Sequence, residues 1–147
     1  MSFNSDVAST SDISSCIQIG LSAIRRTDRS KINCPNSRNI NGSVDIDSCL
    51  ASEYPHCNRW DYAIGYNHKC YFVEVHPAST SEIGTMINKL NWLKTWLRNQ
   101  SSPLLSNHAG FHWIASGNVS ISKGSPQARK LAASGLVGPK RQCGCTI

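Results

Sequence analysis

The second part of the sequence lacks acidic residues: none of the nine Asp and Glu residues of this 147-residue chain follows Glu82. Residues 83–147 nevertheless hold eight of the fifteen Lys and Arg residues, so the net charge of +6 is concentrated there. A positive surface without carboxylates is typical of proteins that bind polyanions. A mildly basic surface that only keeps the protein soluble would have the same composition.

The sequence also lacks long apolar runs. No stretch approaches the roughly 20 apolar residues that cross a bilayer, and the N-terminus has no basic segment followed by an apolar run, which argues against a signal peptide. We therefore predict a cytoplasmic protein with no membrane partner. The length and the hydrophobic content of 39% predict one folded domain over residues 11–147. Residues 1–10 are small and polar and are predicted to form a flexible N-terminus.

The spacing C-x-x-C is missing as well, although the chain has seven cysteines. Most zinc sites use such close pairs. We therefore predict thiols that are mostly reduced and partly buried, as in cytosolic proteins. A structural zinc site is the alternative, and its ligands would be Cys34, Cys49, Cys57 and His56.

Residues 59–77 are predicted to form the central hairpin of the fold, with a tight turn at Asn67-His68. Side chains alternate along a strand, so folding the chain at this turn brings apolar residues together on one face. The predicted pairs are Trp60 with Val75, Tyr62 with Val73, and Ile64 with Tyr71. On the other face, the same register pairs Asp61 with Glu74 and Arg59 with His76.

Further elements are predicted on both sides of the hairpin from hydrophobic periodicity and capping residues. They are an amphipathic helix over about 11–26, a loop over 28–43, a short strand over 44–47, a helix from a Ser79–Glu82 capping box to about Asn99, an interior strand over 111–115, a strand over 119–121, and a helix from Ser125 to Gly135. This order predicts an α/β fold with a mixed β-sheet of four to five strands flanked by helices.

The facing carboxylates of Asp61 and Glu74 are the candidate site. Two carboxylates that face each other across a ladder repel, so a metal ion is expected to hold them there. Mg²⁺ requires oxygen ligands and often takes only one or two carboxylates, with water and phosphate oxygens at its other positions. Such an ion lowers the pKa of a water for attack on phosphorus. His76, on the same face, would orient that water or act as general base.

The arrangement resembles a known family. Asp61 at the start of the second strand and Glu74-Val75-His76 in the third are similar to the motif of the PD-(D/E)xK, or restriction-endonuclease-like, superfamily, over roughly residues 11–117. The resemblance implies a restriction-endonuclease-like fold, Mg²⁺ or Mn²⁺ on Asp61 and Glu74, and hydrolysis of DNA or RNA phosphodiesters. It also implies a homodimer, because domains of this kind often dimerise to reach two strands.

The sequence departs from the family motif at two positions. His76 occupies the position of the motif lysine, and Trp60 stands where a Pro-Asp motif would begin. In some members the lysine comes from the following helix, so Lys89 is the predicted replacement and would stabilise charge on the pentacovalent phosphate. The basic C-terminal half is expected to follow the phosphate backbone of the substrate through Lys123, Arg129, Lys130, Lys140 and Arg141.

Each candidate residue also has a purely structural interpretation. Asp61 would pair with Arg59 or Lys69, and Glu74 with any of the eight cations that follow it in the sequence. His76 would only end its strand, and Lys89 would lie at the edge of an apolar stripe. Trp92, Trp96 and Trp113 are more often core residues than platforms for stacked bases. For the whole chain, the alternatives to a nuclease are a catalytically inactive nucleic-acid- or protein-binding module with the same fold, and a small structural or oligomerising protein.

Overall fold

The computed structural model describes residues 2–144, and the last three residues of the predicted domain lie outside this range. Within it the helices are α1 Phe3–Ala8, α2 Arg26–Arg29, α3 Ile46–Leu50, α4 Ile83–Gln100, α5 Ser102–Ser106 and α6 Pro126–Ser134. The strands are β1 Ile32–Asn33, β2 Ile40–Asp45, β3 Tyr62–Tyr66, β4 Lys69–Ser79, β5 His108–Ser120, β6 Leu136–Lys140 and β7 Cys143–Gly144. Two short 3₁₀ turns cover Ser37–Asn39 and Thr80–Glu82.

Five strands form one mixed sheet in the order β2-β3-β4-β5-β6. The first three are antiparallel neighbours, whereas β5 runs parallel to β4 and β6 runs parallel to β5. The chain passes from β4 to β5 through α4 and from β5 to β6 through α6, as parallel neighbours require. The predicted α/β fold, a mixed sheet flanked by helices, is confirmed. Strands β1 and β7 pair separately, in parallel.

The sheet separates two hydrophobic clusters. One face packs against helices and includes Ala63, Phe72 and Trp113 together with apolar residues of α1, α3, α4 and α6. The other face includes Tyr62, Ile64 and Val73, and it is covered by residues around Ile24 and Ile32. Strand β5 lies between β4 and β6, and both faces of the sheet are covered there. Its consecutive bulky side chains are therefore buried on either face.

The central hairpin has the predicted register where its strands pair, with Tyr62 opposite Val73 and Ile64 opposite Tyr71. Asn67 and His68 both have positive φ, 50° and 65°, as a two-residue turn between twisted strands requires. The predicted Trp60–Val75 pair is wrong. Trp60 precedes β3 and is fully buried in the helix-facing cluster, where it forms an edge contact with Phe111.

The predicted helix over 11–26 is wrong, and the segment 11–24 consists mainly of turns that cross an edge of the sheet. Ile13 packs into the helix-facing cluster, whereas Ile24 packs into the cluster on the opposite face. Between them, Gln18 and Ser43 exchange backbone hydrogen bonds of 2.8 and 3.0 Å at the edge of β2. A continuous helix cannot place its two ends on opposite faces of a sheet, so tertiary burial overrides the helical periodicity.

The composition predicts a flexible chain over residues 1–10. In the described part of this segment, Phe3–Ala8 form helix α1. Ser2 accepts a hydrogen bond from the Ser5 amide, and Ser5 reciprocates, so the two serines form a capping box. Phe3 and Val7 are fully buried against the sheet. Two apolar residues one turn apart are enough to dock this helix, even though its composition is polar.

Helices α4 and α6 begin and end close to their predicted limits. Ser125 accepts from the Ala128 amide, and Gly135 ends α6 with a left-handed φ of 88°. The predicted capping box at Ser79 is wrong, because neither Ser79 nor Glu82 caps α4 with its side chain. The strands predicted over 111–115 and 119–121 form one continuous strand, β5.

The short strand predicted over 44–47 ends at Asp45, which caps α3 through its carboxylate and the Ser48 amide. The loop predicted over 28–43 contains β1, one of the 3₁₀ turns and the start of β2.

Cys16 and Cys49 form a disulfide, so the prediction of reduced thiols is wrong for this pair. Cys57 and Cys70 form no disulfide with another cysteine of residues 2–144. With Cys49 in that bond, the alternative of a zinc site that uses Cys49 is not supported, and residues 2–144 contain no group of three or more His, Cys, Asp or Glu residues arranged to hold a metal. None of the helices in the same range has the length and apolarity that a membrane span needs.

Candidate functional site

The candidate site lies where the start of β3, the middle of β4 and the helix α4 meet. Asp61 and Glu74 approach each other there, as the hairpin register predicts. Each carboxylate accepts from the backbone of the other strand: the Asp61 amide donates to Glu74 Oε1 at 2.9 Å, and the Val75 amide donates to Asp61 Oδ2 at 3.0 Å. The regular pairing of β3 with β4 begins at Tyr62. Just before that residue, these two bonds from side chains to backbone amides join the two strands.

Lys89 reaches the site from α4. Its Nζ lies 2.7 Å from Glu74 Oε2, and the Glu74 side chain is only 1% exposed. The interpretation of Lys89 as a residue at the edge of an apolar stripe therefore misses its ion pair. This ion pair confirms the structural interpretation of Glu74, in which a cation later in the sequence pairs with it.

His76 lies between two carboxylates. Its Nε2 donates to Glu82 Oε1 at 2.7 Å, and its Nδ1 lies 3.7 Å from Glu74 Oε2. The nearby Glu74 carboxylate raises the pKa of His76, and Glu82 adds to this, while burial opposes both. The predicted pairing of His76 with Arg59 is wrong, because Arg59 binds Asp47 instead.

Glu82 is the residue of this site that sequence reasoning missed. The sequence predicts that it caps α4, yet its carboxylate binds His76 rather than a helix amide. The sequence holds one signal for this contact, which is the short separation of His76 and Glu82. The chain turns between them, from β4 into α4, and this turn brings the two side chains together.

Asp61 is the most perturbed acid of the site. Burial raises its pKa from the usual 3.8 to about 7, the neighbouring charge of Glu74 acts in the same direction, and the Val75 amide and Lys89 oppose both. Asp61 forms no ion pair with any Lys, Arg or His of residues 2–144, so the predicted pairing with Arg59 or Lys69 is wrong. Glu74, by contrast, pairs with Lys89 Nζ, and Glu82 binds the His76 ring.

This charge balance bears on the metal ion. Lys89 and a protonated His76 balance Glu74 and Glu82, so an ionised Asp61 is the surplus negative charge of the cluster. Asp61 Oδ2 accepts from Val75, and Oδ1 accepts no hydrogen bond from the described part of the chain. Mg²⁺ and Mn²⁺ are often held by one or two carboxylates, so Asp61 and Glu74 fit such an ion in their chemistry.

The five predicted nucleic-acid contacts are all exposed, and they lie in the loop before α6, on α6, and around the end of β6. The loop before α6 contacts the 3₁₀ turn Thr80–Glu82, and that turn contains the site residue Glu82. The Ser122 amide donates to Thr80 Oγ1 at 2.7 Å, one residue before Lys123. Arg129 and Arg141 donate to Gly124 and Asn118, and neither pairs with an acid of residues 2–144.

Comparisons with protein-family models, with curated proteins and with solved structures find no match to this chain.

Proposed function

We propose that the chain is a metal-dependent nuclease that hydrolyses phosphodiesters of DNA or RNA at Asp61 and Glu74. The observation that carries the proposal is the position of Glu74: its two oxygens bind the Asp61 amide and Lys89 Nζ, and Glu74 and Lys89 both act on the pKa of the Asp61 carboxylate. The surplus charge of Asp61, with its raised pKa, favours a cation at this point.

The roles of the residues follow from their partners. Asp61 and Glu74 would hold Mg²⁺ or Mn²⁺, and the ion when bound supplies a water of lowered pKa and neutralises phosphate charge. Lys89 would stay near the phosphate as a fixed cation. His76 favours its protonated form between Glu74 and Glu82, so its role is to position Glu74 rather than to remove a proton as general base.

The architecture supports a restriction-endonuclease-like fold as part of this proposal. Three antiparallel strands precede a crossover helix and a parallel strand, and the two acids lie at the second and third of these strands. The exposed cations Lys123, Arg129, Lys130, Lys140 and Arg141 would contact the phosphate backbone, and the affinity for nucleic acid would then fall with rising salt. A homodimer would let two such sites reach both strands.

A cleavage assay tests the proposal. The protein is incubated with supercoiled plasmid and with single-stranded DNA and RNA in Mn²⁺, beside Asp61→Asn and Glu74→Gln. We expect cleavage by the unmodified protein and a loss of at least about 100-fold in both variants, as for removal of a group that stabilises transition-state charge. Glu53→Gln is the matched control, because it removes an exposed carboxylate outside the site and should leave cleavage unchanged.

Other outcomes identify the rival functions. Binding of nucleic acid without cleavage in any metal would support an inactive binding module with the same fold. Absence of binding at low salt would contradict both nucleic-acid functions and favour a structural protein. Equal cleavage by the unmodified protein and the two site variants would show that the activity lies elsewhere.

A further inference from the structure

A small aromatic pocket lies on the same helix face as Lys89. It has a volume of about 210 Å³ and is lined by Tyr54, Trp92, Thr95, Trp96, Asn99 and Gln100. Trp92 and Trp96 are nearly parallel, with an interplanar angle of 7°, and Tyr54 meets Trp92 edge-on. The volume equals that of about seven liquid waters, which suits a single planar ring rather than a large cofactor.

The pocket walls are held in place from behind. Tyr54 Oη and Trp96 Nε1 both donate to Asp12 Oδ2 at 3.0 Å, so one carboxylate orients two rings. The polar atoms of these two rings are therefore engaged at Asp12. Trp96 is only 4% exposed, so the aromatic surface open to a ligand belongs mainly to Trp92 and Tyr54. A platform whose rotamers are already ordered loses little entropy when a ligand stacks on it.

The chemistry of the lining points to an uncharged ring. None of the six lining residues is charged, and Thr95, Asn99 and Gln100 are exposed at the rim with amide and hydroxyl groups. Stacking on tryptophan with hydrogen bonds from amides at the edge is how proteins hold an unpaired base. A phosphate would find no cation in this pocket.

Two elements connect the pocket to the candidate site. On α4, Lys89, Trp92 and Trp96 have i, i+3 and i+7 spacing and share one face. With 1.5 Å of rise per residue, the two tryptophans follow Lys89 by about 4.5 and 10 Å along the axis, the rise of about one to three nucleotides. The segment from Tyr54 to Asp61 forms a second connection, in which Arg59 donates to the Tyr54 carbonyl at 2.6 Å.

We propose that this pocket binds one unpaired nucleobase of a strand whose phosphate lies at the Asp61–Glu74–Lys89 site. The inference rests on the proposed function, because it requires that the Asp61–Glu74–Lys89 site binds a phosphate of the same strand. It makes the substrate a single strand or a locally opened duplex, since bases inside a duplex cannot enter a pocket.

The test compares two strands of equal length and charge in EDTA, so that no metal-dependent cleavage occurs. Fluorescence anisotropy measures the binding of labelled oligothymidylate and of an abasic strand with the same number of phosphates. We expect the unmodified protein to prefer oligothymidylate by about tenfold, the size of one stacked base. Trp92→Ala should bind both strands equally, whereas Trp92→Phe should keep most of the preference.

One further variant makes the result decisive. Thr95→Met covers the exposed rim with an uncharged side chain and should also reduce the preference, without depending on the core contacts of Trp92. The preference is measured without metal and does not depend on cleavage, so failure of the nuclease and failure of the base pocket are distinguishable. The inference is overturned if the unmodified protein binds neither strand, if it binds both equally, or if a folded Trp92→Ala variant retains the preference.

Discussion

Asp61 combines burial and a facing carboxylate, and it has no cationic partner among residues 2–144. Its pKa is therefore about 7 in the folded protein, against the usual 3.8 in the unfolded chain. The folded state binds this proton more tightly. Ionisation opposes folding, and stability falls as the pH rises from about 4 to about 7 and then stays at the lower level.

Asp61→Asn should remove this dependence, because asparagine keeps an oxygen that accepts from the Val75 amide but carries no charge. Below pH 4 we expect the variant and the unmodified protein to have similar free energies of unfolding. By pH 8 and without metal, the variant should be more stable by at most about 4 kcal/mol. Urea denaturation at a series of pH values measures the difference.

The same comparison reports on the metal. Mn²⁺ at pH 8 should raise the melting temperature of the unmodified protein, because an ion that binds only the folded state stabilises it. Asp61→Asn should show a smaller shift, and Glu53→Gln the full shift. Parallel pH profiles of the unmodified protein and Asp61→Asn would show that Asp61 carries no surplus charge.

At the scale of single elements, α1 is held by close contact with a glycine of the hairpin. A Cβ atom at Gly65 would lie 2.4 Å from the ring of Phe3, so the helix approaches β3 at a position that only glycine permits. Phe3 is completely buried by this approach. The first helix is thus part of the core despite its polar composition.

Phe3→Ala should destabilise the protein by about 3–5 kcal/mol, the usual cost of removing a buried phenyl ring. Chemical denaturation measures the loss. Phe3→Leu, which preserves most of the apolar volume, should lose much less. Asn4→Ala is the control, because Asn4 is the exposed neighbour of Phe3 on the same helix. A flexible N-terminus would make Phe3→Ala and Asn4→Ala equally neutral.

At the scale of the whole molecule, the Cys16–Cys49 disulfide ties the segment that crosses the sheet edge to α3. The two cysteines are 33 residues apart, so the bond closes a long loop in the unfolded chain. Disulfides persist mainly in oxidising compartments, and the cytoplasmic location stays a prediction.

Removal of this bond should lower the free energy of unfolding by about 3–4 kcal/mol, as the chain-entropy relation gives for a loop of this length. Cys16→Ser and Cys49→Ser should each lower the melting temperature, and a reducing agent should lower that of the unmodified protein to the same level. Cys57→Ser is the control, since Cys57 is exposed and free. A melting temperature that does not respond to reduction would contradict a stabilising role.

The elements that could be predicted from the sequence are those that depend on neighbouring residues. The turn at Asn67-His68, the hairpin register, α4 and the capped helix α6 follow from alternation, helical periodicity and cap chemistry, which act over a few residues. The approach of Asp61 to Glu74 could be predicted for the same reason, since the register of a hairpin is a local property.

Contacts between residues remote in sequence required the three-dimensional fold. The segment 11–24 has helical periodicity, but Ile13 and Ile24 are buried on opposite faces of the sheet. Lys89 pairs with Glu74, and Glu82 turns from its expected helix cap to His76, because the crossover from β4 into α4 places them there. Burial and ion pairing across elements outweigh local preferences that are worth about a fraction of a kcal/mol each.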